Sequence, residues 1–249
     1  MKIDFNCDLA EGLGVEEVIM PYISSANISC ALHAGSVDET ARTIALAKSH
    51  GVQIGAHPSF DDRANFGRSN LNLSKLEIQN LLAYQLGAFL SLCDEAGAVC
   101  AYVKPHGALY NMAAKDYALA HIIAEFVAKI SQKWGQNLAI MGLSNSQSAQ
   151  AAKAVGVKFI SEVFADRHYT DCGTLVPRNE ANALIHDKFE AIAQVVSMAK
   201  NGVVKSISGK SVAVCADSLC VHGDGENAVE FVLAIKNTLE KEGVSVGAF

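Results

Sequence analysis

Short apolar and β-branched runs alternate along this chain with longer stretches of helical period, and a polar cluster follows most of the runs. IDF precedes NCDLAE, NISCAL precedes HAG, VQIGA precedes HPSF, CAYV precedes KPHG, KFI precedes SEVFADR and SLCV precedes HGDGE. The runs predict strands near 2–6, 26–32, 53–57, 101–105, 138–142, 158–164 and 219–222. This strand and helix alternation is the signature of repeated βα units around a parallel sheet. In a closed barrel of such units the strand ends converge on one mouth, so clusters scattered in sequence assemble one site.

Segment 74–97 is predicted to be a helix, because Ser74 stands three residues before Glu77 as in a capping box. Leu81, Leu82, Gln85, Leu86, Phe89 and Leu92 then recur mostly on one face. Similar stripes run through Leu119, Ile122, Ile123, Phe126, Val127 and Ile130, and through Val229, Phe231, Val232, Ile235 and Leu239. Segment 203–214, two alternating runs around Gly209-Lys210, reads as an inserted hairpin, which leaves seven barrel strands. The long polar loops 60–72 and 166–182 are expected to contact a ligand or cover the mouth. No linker or fixed-period repeat divides the 249 residues, so one barrel unit is expected over 1–249.

Composition narrows the ligand. Half the residues are apolar, enough for a large core, and a net charge of -6 without a basic run removes the usual attraction to nucleic acid or an anionic membrane. Small molecules and protein partners are the expected ligands, with self-association left open. The seven cysteines are odd in number and never form CxxC, which argues against a disulfide framework or a structural zinc site and makes a reducing cytoplasm the simplest compartment. Charges in MKIDFNCDLAEG and the lack of a long apolar run make export and membrane insertion unexpected.

Asp8 and Glu11, three residues apart after the first run, can serve one site as base, metal ligand or acceptor, and Asn6 beside them strengthens that reading. A helix cap is the alternative for Asp8. His33 and His57 end runs on neighbouring strands and can meet Asp8 as an Asp-His-His metal site or a proton-transfer set. Backbone hydrogen bonds alone can also satisfy such histidines. Lys104 and His106 flank a proline, where the lysine can hold a carboxylate or phosphate or merely reach the surface. Arg167 or Arg178, with Asp166 nearby, can clamp an anion, although Arg167 can instead pair with Glu162 or Asp166. His222 and Asp224 close the set, Asp224 doubling as a helix cap. No nucleotide-binding glycine loop, kinase signature or nucleophile elbow occurs.

Taken in order, NCDLAEG (6–12), SSANISCALHAG (24–35), GVQIGAHPSFDDRANFGR (51–68), VKPHGALYN (103–111), EVFADRHYTDCGTLVPR (162–178), VKSISG (204–209) and VCADSLCVHGDGENAV (214–229) resemble the LamB/YcsF family, the A subunits of 5-oxoprolinase. The resemblance implies a seven-stranded β/α barrel of the glycoside hydrolase/deacetylase type. It implies opening of 5-oxoproline to L-glutamate together with partner subunits B and C, which consume ATP to phosphorylate the lactam that this chain opens. On that reading Asp8 or Glu11, through His33 or His57, deprotonates water; Lys104 and Arg167 hold substrate charge; and His106 or His222 protonates the ring nitrogen. The alternatives are a stand-alone metal-dependent deacetylase and a non-catalytic binding protein of the complex. The chain departs from the family pattern at Ala10 and at Ala31-Leu32, where glycine and Gly-Phe are usual, and at Ser36, where an acid is usual. The two alanines argue against a left-handed backbone there, and Ser36 removes a carboxylate from the expected site.

Overall fold

The computed structural model describes residues 1–221 and 228–249. Its strands are β1 (Lys2–Leu9), β2 (Ser25–Ser29), β3 (Gln53–His57), β4 (Cys100–Val103), β5 (Ala139–Leu143), β6 (Phe159–Phe164), β7 (Val203–Lys205), β8 (Ser211–Ala213), β9 (Ser218–Cys220) and β10 (Ser245–Val246). Its α-helices are α1 (Glu16–Ile19), α2 (Val37–Ser49), α3 (Lys75–Glu95), α4 (Gly107–Ala113), α5 (Tyr117–Trp134), α6 (Gln147–Val155), α7 (Lys188–Asn201) and α8 (Ala228–Lys241). Strands β1 to β6 pair in chain order and in parallel, and β9 closes the ring by pairing with both β6 and β1. The result is the expected seven-stranded β/α barrel. β7 and β8 form the antiparallel hairpin inserted before β9, and β10 adds to the start of β1 through Lys2 and Ser245.

Local chemistry accounts for the helices. The Ser74–Glu77 capping box starts α3, which buries Ile78, Leu82, Gln85, Leu86 and Phe89 against the barrel. Asp116 caps α5 by accepting from the backbone of Ala118 and Leu119, and Gly135 in the left-handed region ends that helix. Val232, Ile235 and Leu239 form the buried stripe of α8. Ser36 acts locally, because its hydroxyl accepts from Glu39 N–H and caps α2. A serine in place of an acid is therefore a helix start rather than a missing site carboxylate.

The barrel interior has two levels. Tyr102, Ala139, Met141 and Ile160 pack below, with Phe249 against them. Above them lies a polar level built from alternate strand positions: Asp4, Asn6 and Asp8 of β1 meet Ser25 and Asn27 of β2 and Ser218 of β9. Tyr102 fills the centre and donates to Asn27 Oδ1 at 2.6 Å.

Ala10 and Ala31 overturn the expectation drawn from their type, since their φ angles are 59° and 62°. The turns after β1 and β2 demand this backbone. A Cβ at Gly35 would lie 2.0 Å from Ala10 O, so the two loops already touch as closely as backbones can. An L-residue in the left-handed region carries roughly 1–2 kcal/mol of strain. Ala31→Gly is therefore expected to raise stability by about 1 kcal/mol or less after the greater unfolded freedom of glycine is subtracted, a Tm gain of roughly 1–4 °C. Differential scanning calorimetry checks this, and a lowered Tm would show that the turn is unstrained.

Candidate active site

At the C-terminal ends of the strands lies a cavity of about 360 Å³, lined among others by Asp8, Glu11, His57, Lys104, His106, Arg167 and Arg178. It thus gathers seven of the residues singled out from sequence. Asp8 sits inside β1, which runs on to Leu9, so it caps no helix. Phe66, Arg68, Tyr110 and Phe164 complete much of the wall.

Lys104 anchors the floor. Its Nζ donates to Asp8 Oδ1 at 2.9 Å, Asn6 Oδ1 at 3.1 Å and Cys220 Sγ at 3.5 Å, and forms an ion pair with Glu162 Oε1 at 2.7 Å. Burial opposes the ammonium charge, but Asp8, Cys220 and Glu162 hold its pKa well above the usual lysine value. Asp8 experiences the converse: burial opposes its charge, and His57 and Lys104 outweigh that to keep it well below the usual carboxylate range. The Asp8 side chain is 20 % exposed against 3 % for Lys104 and 0 % for Glu162, so Asp8 is the member of this triad most open to the cavity, which Lys104 also lines. Asn6, expected from sequence to bind substrate, is fully buried beneath it. It instead orients Lys104 and is itself held by Asn27 Nδ2 at 2.7 Å and by Ser218 Oγ at 2.7 Å.

The second half of the site is a histidine cluster. His57 Nε2 lies 3.0 Å from His106 Nδ1 and 3.4 Å from Asp8 Oδ2, and His33 Nε2 lies 2.9 Å from Glu11 Oε1. The His33 and His106 rings stack at 3.8 Å between centroids. Burial, aided by His57, pushes the His33 imidazole down to about 3, and burial with its histidine neighbours also lowers His106. Burial resists charge on His57 as well, yet the facing Asp8 carboxylate lifts its pKa. Burial and the charge of Asp8 raise Glu11. Glu11, His33, His57 and His106 each present a ligand atom within 4.8 Å of the others, a set able to hold a metal ion. The sequence trio of Asp8, His33 and His57 is thereby recast: Asp8 turns to Lys104, while Glu11 and His106 join the histidines.

Arg167 is buried, with Nε donating to Ala183 O at 3.2 Å and Nη2 to Val176 O at 2.5 Å. Much of its fork thus holds the loop after β6 together, and burial lowers its pKa to about 10. Arg178 and Arg68 are exposed on the cavity rim. Asp166 is half-buried just beyond β6. His222 and Asp224 lie outside the described residues. Sequence reasoning passed over Asn27, Tyr102 and Tyr110, although Tyr110 donates to Glu162 Oε2 at 2.7 Å. The available signal for Asn27 was its place in an apolar strand, two residues from Ser25 and Ser29, on the inward-facing period.

Fold and site define a β/α-barrel protein with a carboxylate, lysine and histidine cavity at the strand ends. The model of the LamB/YcsF family matches residues 3–249, and the chain belongs to that family. It is 49% identical over 247 residues, 99% of each chain, to a Neisseria meningitidis protein named as the A subunit of 5-oxoprolinase. A crystal structure of the lactam utilization protein from Thermus thermophilus superposes with a TM-score of 0.89 at 37% identity, covering 100% of both chains. A family 4 carbohydrate esterase from Streptomyces lividans shares the fold alone, with a TM-score of 0.50 at 9% identity over 99% of this chain and 92% of that one. Among the described residues no helix is long and apolar enough to cross a membrane.

Removing the lysine charge tests the floor directly. Lys104→Met leaves Asp8 and Glu162 facing one another and is expected to cost about 3–5 kcal/mol in urea unfolding at neutral pH, with part restored by adding Glu162→Gln. A loss below about 1 kcal/mol would contradict the pairing. Because the folded pKa of Asp8 is depressed, its contribution is present above its unfolded value of about 3.9 and lost as pH falls through the folded one.

Proposed function

We propose that this chain is the lactam-opening component of an ATP-dependent 5-oxoprolinase, acting on 5-oxo-L-proline after its oxygen has been phosphorylated. The observation that carries this reading is the Asp8 carboxylate, held ionised by His57 and by Lys104 at 2.9 Å and presented to a small cavity beneath an arginine rim. The names of the Neisseria and Thermus relatives support the lactam as substrate class. ATP is consumed at the partner subunits B and C, which fits the lack of a nucleotide-binding loop in this sequence.

A lactam is a poor electrophile, and phosphorylation of its oxygen converts it into an imidate ester that water can attack. The attacking water loses a proton to Asp8 Oδ2 as its oxygen bonds to the ring carbon. The carbon then bears a hydroxyl, a phosphoryl oxygen and the ring nitrogen. Expelling phosphate would regenerate the intact lactam, so opening requires the nitrogen to be protonated first. Protonated Asp8, whose low pKa makes it a strong acid, returns the proton to that nitrogen and is ionised again. The C–N bond breaks as the hydroxyl on the same carbon releases its proton, its O–H electron pair becoming the new C=O, and the departing amine takes up that proton. This leaves the side-chain carboxyl as its phosphate, which a second water hydrolyses to glutamate and phosphate. Arg68, Arg167 and Arg178 supply positive charge for the substrate carboxylate and phosphoryl groups. Lys104 tunes Asp8 rather than gripping the ligand, since its donors are already engaged.

Glutamate formation from 5-oxoproline and ATP is expected only when this chain and both partner subunits are mixed. Asp8→Asn, folded by circular dichroism, is expected to lower kcat about 10²–10⁴-fold. Turnover by this chain alone without ATP would favour a stand-alone amidohydrolase. Full activity of Asp8→Asn in the complete mixture would remove its assigned role, and the same result for all pocket variants would leave the chain a binding role only.

A further inference from the structure

Two backbone carbonyls dictate the tautomers of the buried histidines. His57 Nδ1 lies 2.7 Å from Lys104 O, and His106 Nε2 lies 2.9 Å from Phe66 O. A carbonyl oxygen only accepts, so both of these nitrogens carry hydrogen. When both rings are neutral, bare lone pairs at His57 Nε2 and His106 Nδ1 face each other across 3.0 Å. Glu11 Oε1 joins them at 3.3 Å from His106 Nδ1 and 3.8 Å from His57 Nε2. Three electron-pair donors facing one point repel unless a cation lies among them.

Charge and geometry favour a divalent ion there. Among the described residues on the cavity floor, three carboxylates, Asp8, Glu11 and Glu162, are gathered around one ammonium, that of Lys104. One proton would satisfy one nitrogen. The donor separations of 3.0, 3.3 and 3.8 Å bracket the roughly 3.3 Å expected when ligand bonds of about 2.0–2.1 Å surround a tetrahedral ion. A ring N–H held by a backbone carbonyl is also the usual outer support of a metal-bound imidazole.

His33 does not belong to the same ligand set. Its ring lies 8° from parallel to His106 with centroids 3.8 Å apart, so the in-plane lone pairs of the two rings run side by side and do not converge. Its Nε2 instead donates to Glu11 Oε1 at 2.9 Å and fixes that carboxylate.

We propose that Glu11, His57 and His106 form a three-ligand centre for a divalent transition-metal ion such as zinc, with a further position open to the cavity and His33 orienting Glu11 from behind. A bound ion there would polarise a carbonyl or phosphoryl oxygen of the ligand. The proposal does not depend on the identity of the substrate, and its test reads metal and nitrogen rather than turnover.

The experiment is titration of chelator-treated full-length protein with Zn²⁺ and Co²⁺, followed by calorimetry, elemental analysis and the visible Co²⁺ spectrum. Binding of one ion per chain is expected, with tetrahedral Co²⁺ bands. His57→Gln and His106→Gln are each expected to weaken binding at least about 100-fold, and His33→Gln about 10–100-fold. ¹⁵N spectra of histidine-labelled wild-type protein provide a readout that survives any folding defect in the variants. One equivalent of Zn²⁺ should shift His57 Nε2 and His106 Nδ1 and leave both opposite nitrogens protonated. The proposal is overturned if folded wild-type protein takes up no stoichiometric ion. It is equally overturned if His57 remains doubly protonated at neutral pH in the presence of Zn²⁺.

Discussion

The ammonium of Lys104, buried inside a parallel barrel, is the charge around which the upper half of this protein is arranged. Taking one ion out of water costs several kcal/mol, and only close partners with good geometry offset it. Here Asp8 comes from β1, Glu162 from β6 and the lysine from the end of β4, so the pairing ties strands on different sides of the ring. The network continues downward through Asn6, Asn27 and Ser218 to Asp4, whose carboxyl also accepts from Ser24 and Ser25. Burial raises the pKa of Asp4 despite those hydroxyls, which marks how little water reaches this level.

That network gives the cavity an internal polarity. Its floor carries carboxylates and histidines, while Arg68 and Arg178 stand at its rim. The mouth and the floor of the cavity therefore differ in the sign of the charge they present. Opposite pKa displacements within the same few ångströms, with Asp8 lowered and Glu11 raised, distinguish two carboxylates of the same cavity. Burial raises both, but His57 and Lys104 outweigh it at Asp8, while the Asp8 charge adds to it at Glu11.

The loops that deliver these groups are packed backbone to backbone. Gly107, with φ at 55°, stands where a Cβ would come 2.5 Å from Gly67 O, and Gly35 makes the similar approach to Ala10. Phe66 also has positive φ, and its carbonyl orients His106. Strain of this kind persists where surrounding structure over-determines it, and in this chain it lies at the mouth.

The order of strands and helices was legible in the sequence because it depends on local period and capping. The α3 capping box, the α5 and α8 stripes and the 203–214 hairpin are readable within their own windows. Polar clusters after the strands also pointed to the cavity, since barrel closure brings strand ends together. Sequence by itself could not pair Glu11 with His33, set Asp8 apart from the Glu11 and histidine cluster, or commit Asn6 to the interior. It also misread Ala10 and Ala31, because turn geometry overrode residue preference. Those outcomes depend on register, ring stacking and carbonyls contributed from distant segments. Only closure of the barrel decides which lone pairs face one another, because the groups that meet are separated by tens of residues and no local pattern records their directions.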